Sequence, residues 1–175
     1  MLCVEQSRVF LVFYLNVRMR ISNFFKLLVC ILIPLGVGGF AGMATANGID
    51  SWYITLVKPS FNPPNAIFAP VWTFLYLLMG ISFYLVIQSA RGQQLFRAYL
   101  IFGGQLLLNF IWSFLFFYFQ EIGWALAEIV LLWLSILGMI VFFHGINKTA
   151  AYLQIPYLCW VSFATFLNFT LYQLN

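Results

Sequence analysis

Charge is what this sequence has least of: four acidic residues, eight basic ones and one histidine among 175, or 7% charged. Soluble domains carry about 25% charged residues. A chain so poor in charge cannot cover a water-facing surface. With 64% hydrophobic residues and a mean hydropathy of +0.99, most of it must be solvated by lipid. Cysteine is scarce as well. Cys3, Cys30 and Cys159 form no CxxC pair and no metal-ligand spacing, so neither a disulfide framework nor a zinc site is indicated. The basic residues are scattered, without a cluster interleaved with aromatics, so the net charge of +4 does not point to nucleic acid. His144 is the only histidine and falls at a helix end, where it reads as solvated rather than as an axial haem ligand.

What the sequence does have is long apolar runs. A membrane helix needs about 20 mostly apolar residues. Five stretches qualify: Phe24–Ala46, Ile67–Ala90, Ala98–Phe119, Gly123–His144 and Ala151–Tyr172. They are continuous rather than alternating, which selects helices over a β-barrel. The expected fold is therefore an all-α integral membrane protein, a single bundle of five transmembrane helices. Residues 23–175 form that domain and residues 1–22 an N-terminal extension. Within the extension Val9–Val17 is apolar but too short to span, and Met19 opens an ordinary membrane-protein start. The expectation is that 1–18 is a mis-assigned start.

The connections around Glu121 and Asn147 are tight and make their neighbours antiparallel. The first connection, Asn47–Ala66, is far longer and carries Pro59, Pro63 and Pro64 within a short distance. Prolines fix φ, so this loop is stiff enough to hold a shape. Long ordered loops of this kind are usually functional. Of the eight basic residues, Arg8, Arg18, Arg20, Lys26, Arg91, Arg97 and Lys148 fall on the N-terminal side and only Lys58 on the other. That asymmetry places the N-terminus in the cytoplasm and the long loop outside.

Polar and aromatic side chains inside the spans recur on single faces. Gln105, Asn109, Trp112 and Ser113 share one face of the third helix, and Pro156, Trp160, Ala164 and Asn168 one face of the fifth. Trp72, Tyr76 and Gly80 line up on the second, and Glu128 lies in the fourth. At about 1.5 Å per residue, Trp72, Glu128, Trp112, Ala164, Asn109 and Trp160 all lie about 8 to 18 Å below the loop side. Four helices thus deliver indoles and amides to one depth beneath the loop. Interhelical hydrogen bonding would explain each residue alone. Together, aromatic walls with a few polar groups describe a small-molecule pocket with a lid. Glu128 has no intramembrane Lys or Arg to pair with and is read as structural or pocket-polarising. Gly38, Gly42 and Ala46 give the first helix a small-xxx-small face, for a helix of the same chain or a homodimer.

The motifs also carry a family resemblance. The loop Trp52-Tyr53-x-x-Leu56-x-Lys58-Pro59-Ser60-Phe61-x-Pro63-Pro64 resembles the first loop of the TspO/MBR proteins, known as tryptophan-rich sensory proteins and peripheral benzodiazepine receptors. Pro70-Val71-Trp72-Thr73-x-Leu75-Tyr76-x-x-Met79-Gly80 resembles their second helix, and Gln105-Leu106-x-Leu108-Asn109-x-x-Trp112-Ser113 their third. Gly123-Trp124-Ala125-Leu126 resembles the start of the fourth, and Pro156-Tyr157-x-x-Trp160-x-x-Phe163-Ala164-Thr165-x-x-Asn168 the fifth. The likeness runs in order from about residue 24 onward.

The resemblance implies a membrane receptor or sensor, often dimeric. It would bind tetrapyrroles such as protoporphyrin IX and haem, and benzodiazepine-type ligands, beneath the first loop, with no obligatory cofactor. It implies a pocket lined by Trp52, Tyr53, Trp72, Asn109, Trp160 and Ala164. To these the depth reading adds Gln105, Trp112 and Glu128, with Lys58, Pro59, Pro63 and Pro64 as lid. An alternative it also implies is light- and oxygen-dependent porphyrin breakdown, though no nucleophile–base pair or metal cluster looks catalytic. A tetrapyrrole transporter ranks below both, because no internal repeat or matched pair of broken helices is present. Sterol binding is not expected, since Tyr172 is followed by Gln173-Leu174-Asn175 with no basic residue. A bacterial cytoplasmic membrane is the expected location, with the mitochondrial outer membrane as the alternative.

Overall fold

A computed structural model describes the backbone of residues 2–49 and 51–175, and the side chains of 21–46, 48–49 and 51–175. The elements are α1 (Leu2–Ile49), a 3-10 turn (Tyr53–Thr55), α2 (Asn65–Ser89), α3 (Gly92–Ser113), a π-helical turn (Phe114–Tyr118), α4 (Ile122–His144), α5 (Lys148–Tyr152) and α6 (Ile155–Leu174). Five stretches are long and apolar enough to cross a membrane: Ile21–Ala46, Asn65–Ser89, Gly92–Tyr118, Ile122–His144 and Lys148–Leu174. The protein is a multi-pass, all-α membrane protein, and among the described residues there is no strand. Phe24, Phe40, Leu107 and Val141 are exposed along the spans, as a surface solvated by acyl chains requires. The expected start at Met19 concerns residues 1–18, of which only the backbone from Leu2, helical throughout, is described.

The helix limits differ from the apolar runs most at α1, which starts at Leu2 rather than Phe24 and continues through the expected extension, and in two further places. The third helix begins at Gly92 rather than Ala98, because Gln93, Gln94 and Arg97 continue it past the apolar segment. The fifth span begins at Lys148 but breaks after Tyr152 and resumes at Ile155. Pro156 lies in the first turn of α6, where its missing N–H costs nothing.

Helix α1 packs against α2 and α3, α3 against α4, and α4 against α6. Away from the long loop the bundle is solid. Phe83 stacks on Phe102 with centroids 4.1 Å apart, Phe143 lies beside them at 6.4 Å, and the Ser82 hydroxyl donates to the Ala150 carbonyl at 2.7 Å. In this half α1 and α2 touch backbone to backbone: a Cβ on Gly80 would lie 2.6 Å from Ile31 Cα and 2.7 Å from the Cys30 carbonyl oxygen.

Near the loop, α1 leans the other way. A Cβ on Gly48 would lie 2.5 Å from the Phe117 carbonyl oxygen, in the π-helical turn that ends the third span. Helix α1 therefore crosses the bundle diagonally, held to α2 at one end and to the third span at the other. The wedge between α1 and α2 widens toward the loop.

Candidate ligand-binding site

The space left by that divergence is a cavity of about 530 Å³ between α1, α2, the third span and α6. This is an ordinary size for a small-molecule site. Trp72, Trp112, Trp160 and Ala164 line it, as do Phe68, Tyr76 and Phe117 and a row of small residues on α1. The indoles are braced from behind. Trp72 stacks on Tyr76 at 5.6 Å and meets Tyr157 edge-on at 6.2 Å, and Trp160 meets Phe68 edge-on at 6.1 Å. Trp112 stacks on Phe116 at 5.3 Å and donates its indole N–H to Asn168 Oδ1 at 3.2 Å. Among the described residues, the indole nitrogens of Trp72 and Trp160 donate to no protein group, which leaves two spare donors in the wall.

The wall depends on the π-helical turn. Its longer hydrogen-bond loop, Phe119 N–H to the Phe114 carbonyl at 2.9 Å, lets Phe116 and Phe117 both be buried on the inner side. Phe117 then closes the cavity toward α3 and Phe116 backs Trp112.

Asn109 stands behind the wall rather than in it. Its carboxamide oxygen accepts from the Tyr76 hydroxyl at 2.6 Å, and its Nδ2 donates to the Tyr157 oxygen at 3.2 Å. The amide joins α2, α3 and α6, and it is Tyr76 that meets the cavity. Gln105 and Glu128 are buried away from the lining, and their side-chain polar atoms have no protein partner among the described residues.

The long loop roofs this end of the bundle, although none of residues 51–64 lines the cavity itself. The 3-10 turn buries Tyr53 against Phe116 and Phe117, while Trp52 packs edge-on against Phe116 at 5.4 Å. The Tyr53 hydroxyl donates to Asn62 Oδ1 at 2.6 Å, and Asn62 Nδ2 donates to the Pro63 carbonyl at 3.1 Å, so one amide ties both arms of the loop. Lys58 Nζ lies 4.8 Å from the Tyr53 ring centre, a cation–π contact. Pro59 accepts the Asn62 N–H in a turn, and Pro64 leads into α2. Phe61 stacks on Phe166 at 5.3 Å, and Val57 exchanges backbone hydrogen bonds with the Asn175 side chain at 2.9 and 3.1 Å. Burial pushes the Tyr53 phenol above its ordinary value of 10.0, with the Asn62 hydrogen bond opposing the shift.

Of the nine residues expected to bind the ligand, four line the cavity: Trp72, Trp112, Trp160 and Ala164. Trp52, Tyr53, Lys58, Pro59, Pro63 and Pro64 belong to the roof or its hinges, and Asn109 to the support of the wall. Sequence reasoning missed Asn62 as the loop's knot and Phe117 as a wall. Gly38, Gly42 and Ala46, expected as one small-xxx-small face for a helix of this chain or a homodimer, meet different surroundings within the chain. Gly38 faces the Tyr76 ring, whereas Gly42 and Ala46 border open space. Among the described residues no three His, Cys, Asp or Glu side chains gather as metal ligands.

The profile of the TspO/MBR family matches residues 30–174, through all five spans and the roof. The chain belongs to the TspO/MBR family. A tryptophan-rich protein TspO from Chlorobaculum tepidum is 44% identical over 151 residues, covering 85% of this chain and 95% of that protein. The tryptophan-rich protein TspO of Archaeoglobus fulgidus is 39% identical, covering 87% and 99%, and the translocator protein of Bos taurus 35%, covering 82% and 86%. The TspO/MBR match begins inside α1, after the N-terminal extension, and takes in every cavity-lining residue named above.

Proposed function

We propose that this TspO/MBR protein is a membrane receptor or sensor whose cavity binds a flat, largely apolar tetrapyrrole, protoporphyrin IX or haem, and synthetic benzodiazepine-type ligands. The observation that carries the reading is the convergence of Trp72, Trp112 and Trp160, from three spans, on one apolar cavity at the loop end of the bundle. Indole faces suit a planar π-system, and each such contact contributes roughly 0.5–1.5 kcal/mol beyond the area it buries. The spare N–H groups of Trp72 and Trp160 offer polar anchors. The relatives include sensory and translocator proteins, in agreement with a receptor role. Orientation with the loop outside the cytoplasm follows from the basic-residue asymmetry.

The test is titration of protoporphyrin IX into purified protein with tryptophan quenching as readout. Saturable quenching is expected, with Trp72→Ala and Trp160→Ala each weakening binding by several-fold to tenfold. If both variants bind as tightly as the parent, the macrocycle lies elsewhere and the assignment is wrong.

A further inference from the structure

The roof of the bundle and the flank of the cavity are built differently. The roof is fastened at several points: Tyr53 to Asn62, Phe61 to Phe166, and Val57 to Asn175 on both its N–H and C=O. Among the described residues, the flank between α1 and α2 has no such closure beside the cavity. The cavity is bordered there by Gly39, Gly42 and Ala46 on α1 and by Ala66, Ala69 and Thr73 on α2, every one of them exposed. A Cβ placed on Gly39 or Gly42 meets no atom within 4 Å. Thr73 turns its hydroxyl back to the Ala69 carbonyl at 2.8 Å, so even the polar residue of the rim presents carbon outward. These residues lie inside the spans Ile21–Ala46 and Asn65–Ser89, at the depth of acyl chains rather than of water. Along α1 the gap runs from Gly39 to Ala46, roughly 10 Å.

We infer that the cavity is loaded sideways from the lipid phase, through a slot between α1 and α2 rimmed by Gly39 and Gly42, and takes ligands already partitioned into the bilayer. This rests on the proposed ligand class only for what travels through the slot, not for the slot itself. A bilayer concentrates planar apolar amphiphiles, and a slot at acyl-chain depth receives them without exposing their apolar face to water. It also leaves a charged edge free to stay at the interface.

The first experiment needs no ligand. In a Trp124→Phe, Trp133→Phe background the remaining indoles, Trp52, Trp72, Trp112 and Trp160, belong to the cavity and its roof. The protein is placed in phosphatidylcholine vesicles whose acyl chains are brominated at mid-depth. Bromine quenches indoles it can reach, so strong quenching is expected, cut several-fold by Gly39→Leu with Gly42→Leu. Indoles that stay bright in the brominated lipid, or quenching the leucines leave unchanged, would overturn the slot.

The second experiment follows protoporphyrin IX binding by stopped flow in the same membranes without bromine. A side chain that narrows a passage slows loading and release together, whereas one that only fills the cavity speeds release. About a tenfold fall in both rates is expected for the leucine variants, and no change for Asn175→Ala, which loosens the roof. A faster on-rate in Asn175→Ala, or a leucine effect confined to the off-rate, would overturn lateral loading. Absence of any protoporphyrin binding would sink the ligand assignment while the bromine result still decides the slot.

Discussion

The Tyr76 hydroxyl donates to Asn109 Oδ1 across 2.6 Å, and the same amide donates to Tyr157, so one buried carboxamide holds a tyrosine on each side. Asn109→Ala strands both phenols away from water. Leaving a buried polar group without its partner costs roughly 1–3 kcal/mol. A lower thermal midpoint in detergent is the expected outcome, with Tyr76→Phe milder because it leaves Asn109 bonded to Tyr157. An Asn109→Ala protein as stable as the parent would show that the amide is idle.

Gly80 and Gly39 predict opposite responses to one methyl group. At Gly80 a Cβ meets the α1 backbone at 2.6 Å, and backbone cannot step aside cheaply. Gly80→Ala is expected to destabilise by about 1–3 kcal/mol, as overpacking does. Gly39→Ala meets nothing within 4 Å. The alanine also favours helix by about 0.5–1 kcal/mol over glycine, so stability should hold or rise. Thermal unfolding of the two variants side by side checks both signs.

Asn168 separates packing from ligand binding. It accepts the Trp112 indole N–H and donates to the Ile122 carbonyl at 3.1 Å, joining α3, α4 and α6 without touching the cavity. Asn168→Ala should lower stability by roughly 1–3 kcal/mol. Protoporphyrin affinity should stay at the parent value, provided binding is measured well below the lowered melting temperature. A large affinity loss would mean that Trp112's orientation, and not only its ring, serves the site.

The roof has a pH limit with a definite sign. The Tyr53 phenol is shifted up by burial, so the folded roof favours its neutral, donating form. Its contribution is fully present below the ordinary phenol value of 10.0 and is lost as pH rises past that value toward the folded one. Stability of the parent should therefore fall faster than that of Tyr53→Phe above about pH 10. Thermal midpoints from pH 8 to 11 for both proteins give the comparison, and parallel curves would refute it.

Much of this fold was legible because lipid makes a coarse demand: a run such as Gly123–His144 is too long and too apolar to be anything but a span. The indoles were legible too, because Trp160 and Ala164 share a face at i and i+4. Other features depend on what lies across the bundle. Whether the Asn109 amide meets a ligand or a tyrosine is decided by Tyr157 on another helix. A stripe of small residues reads the same whether a helix presses on it, as Tyr76 does on Gly38, or nothing does, as at Gly42. The π-helical turn left no mark at all, since Phe114–Tyr118 would sit equally well in an ordinary helix.

The diagonal course of α1 makes the cavity's width a matter of leverage. Its two fulcrums, Ile31 against Gly80 and Gly48 against Phe117, are separated by roughly 25 Å of helix. A swing of only about 3° about the lower one carries the upper end more than an ångström. A methyl group at position 48 would tip the helix back toward α2 and pinch the gap. The aperture is thus governed from two glycines that lie outside the cavity.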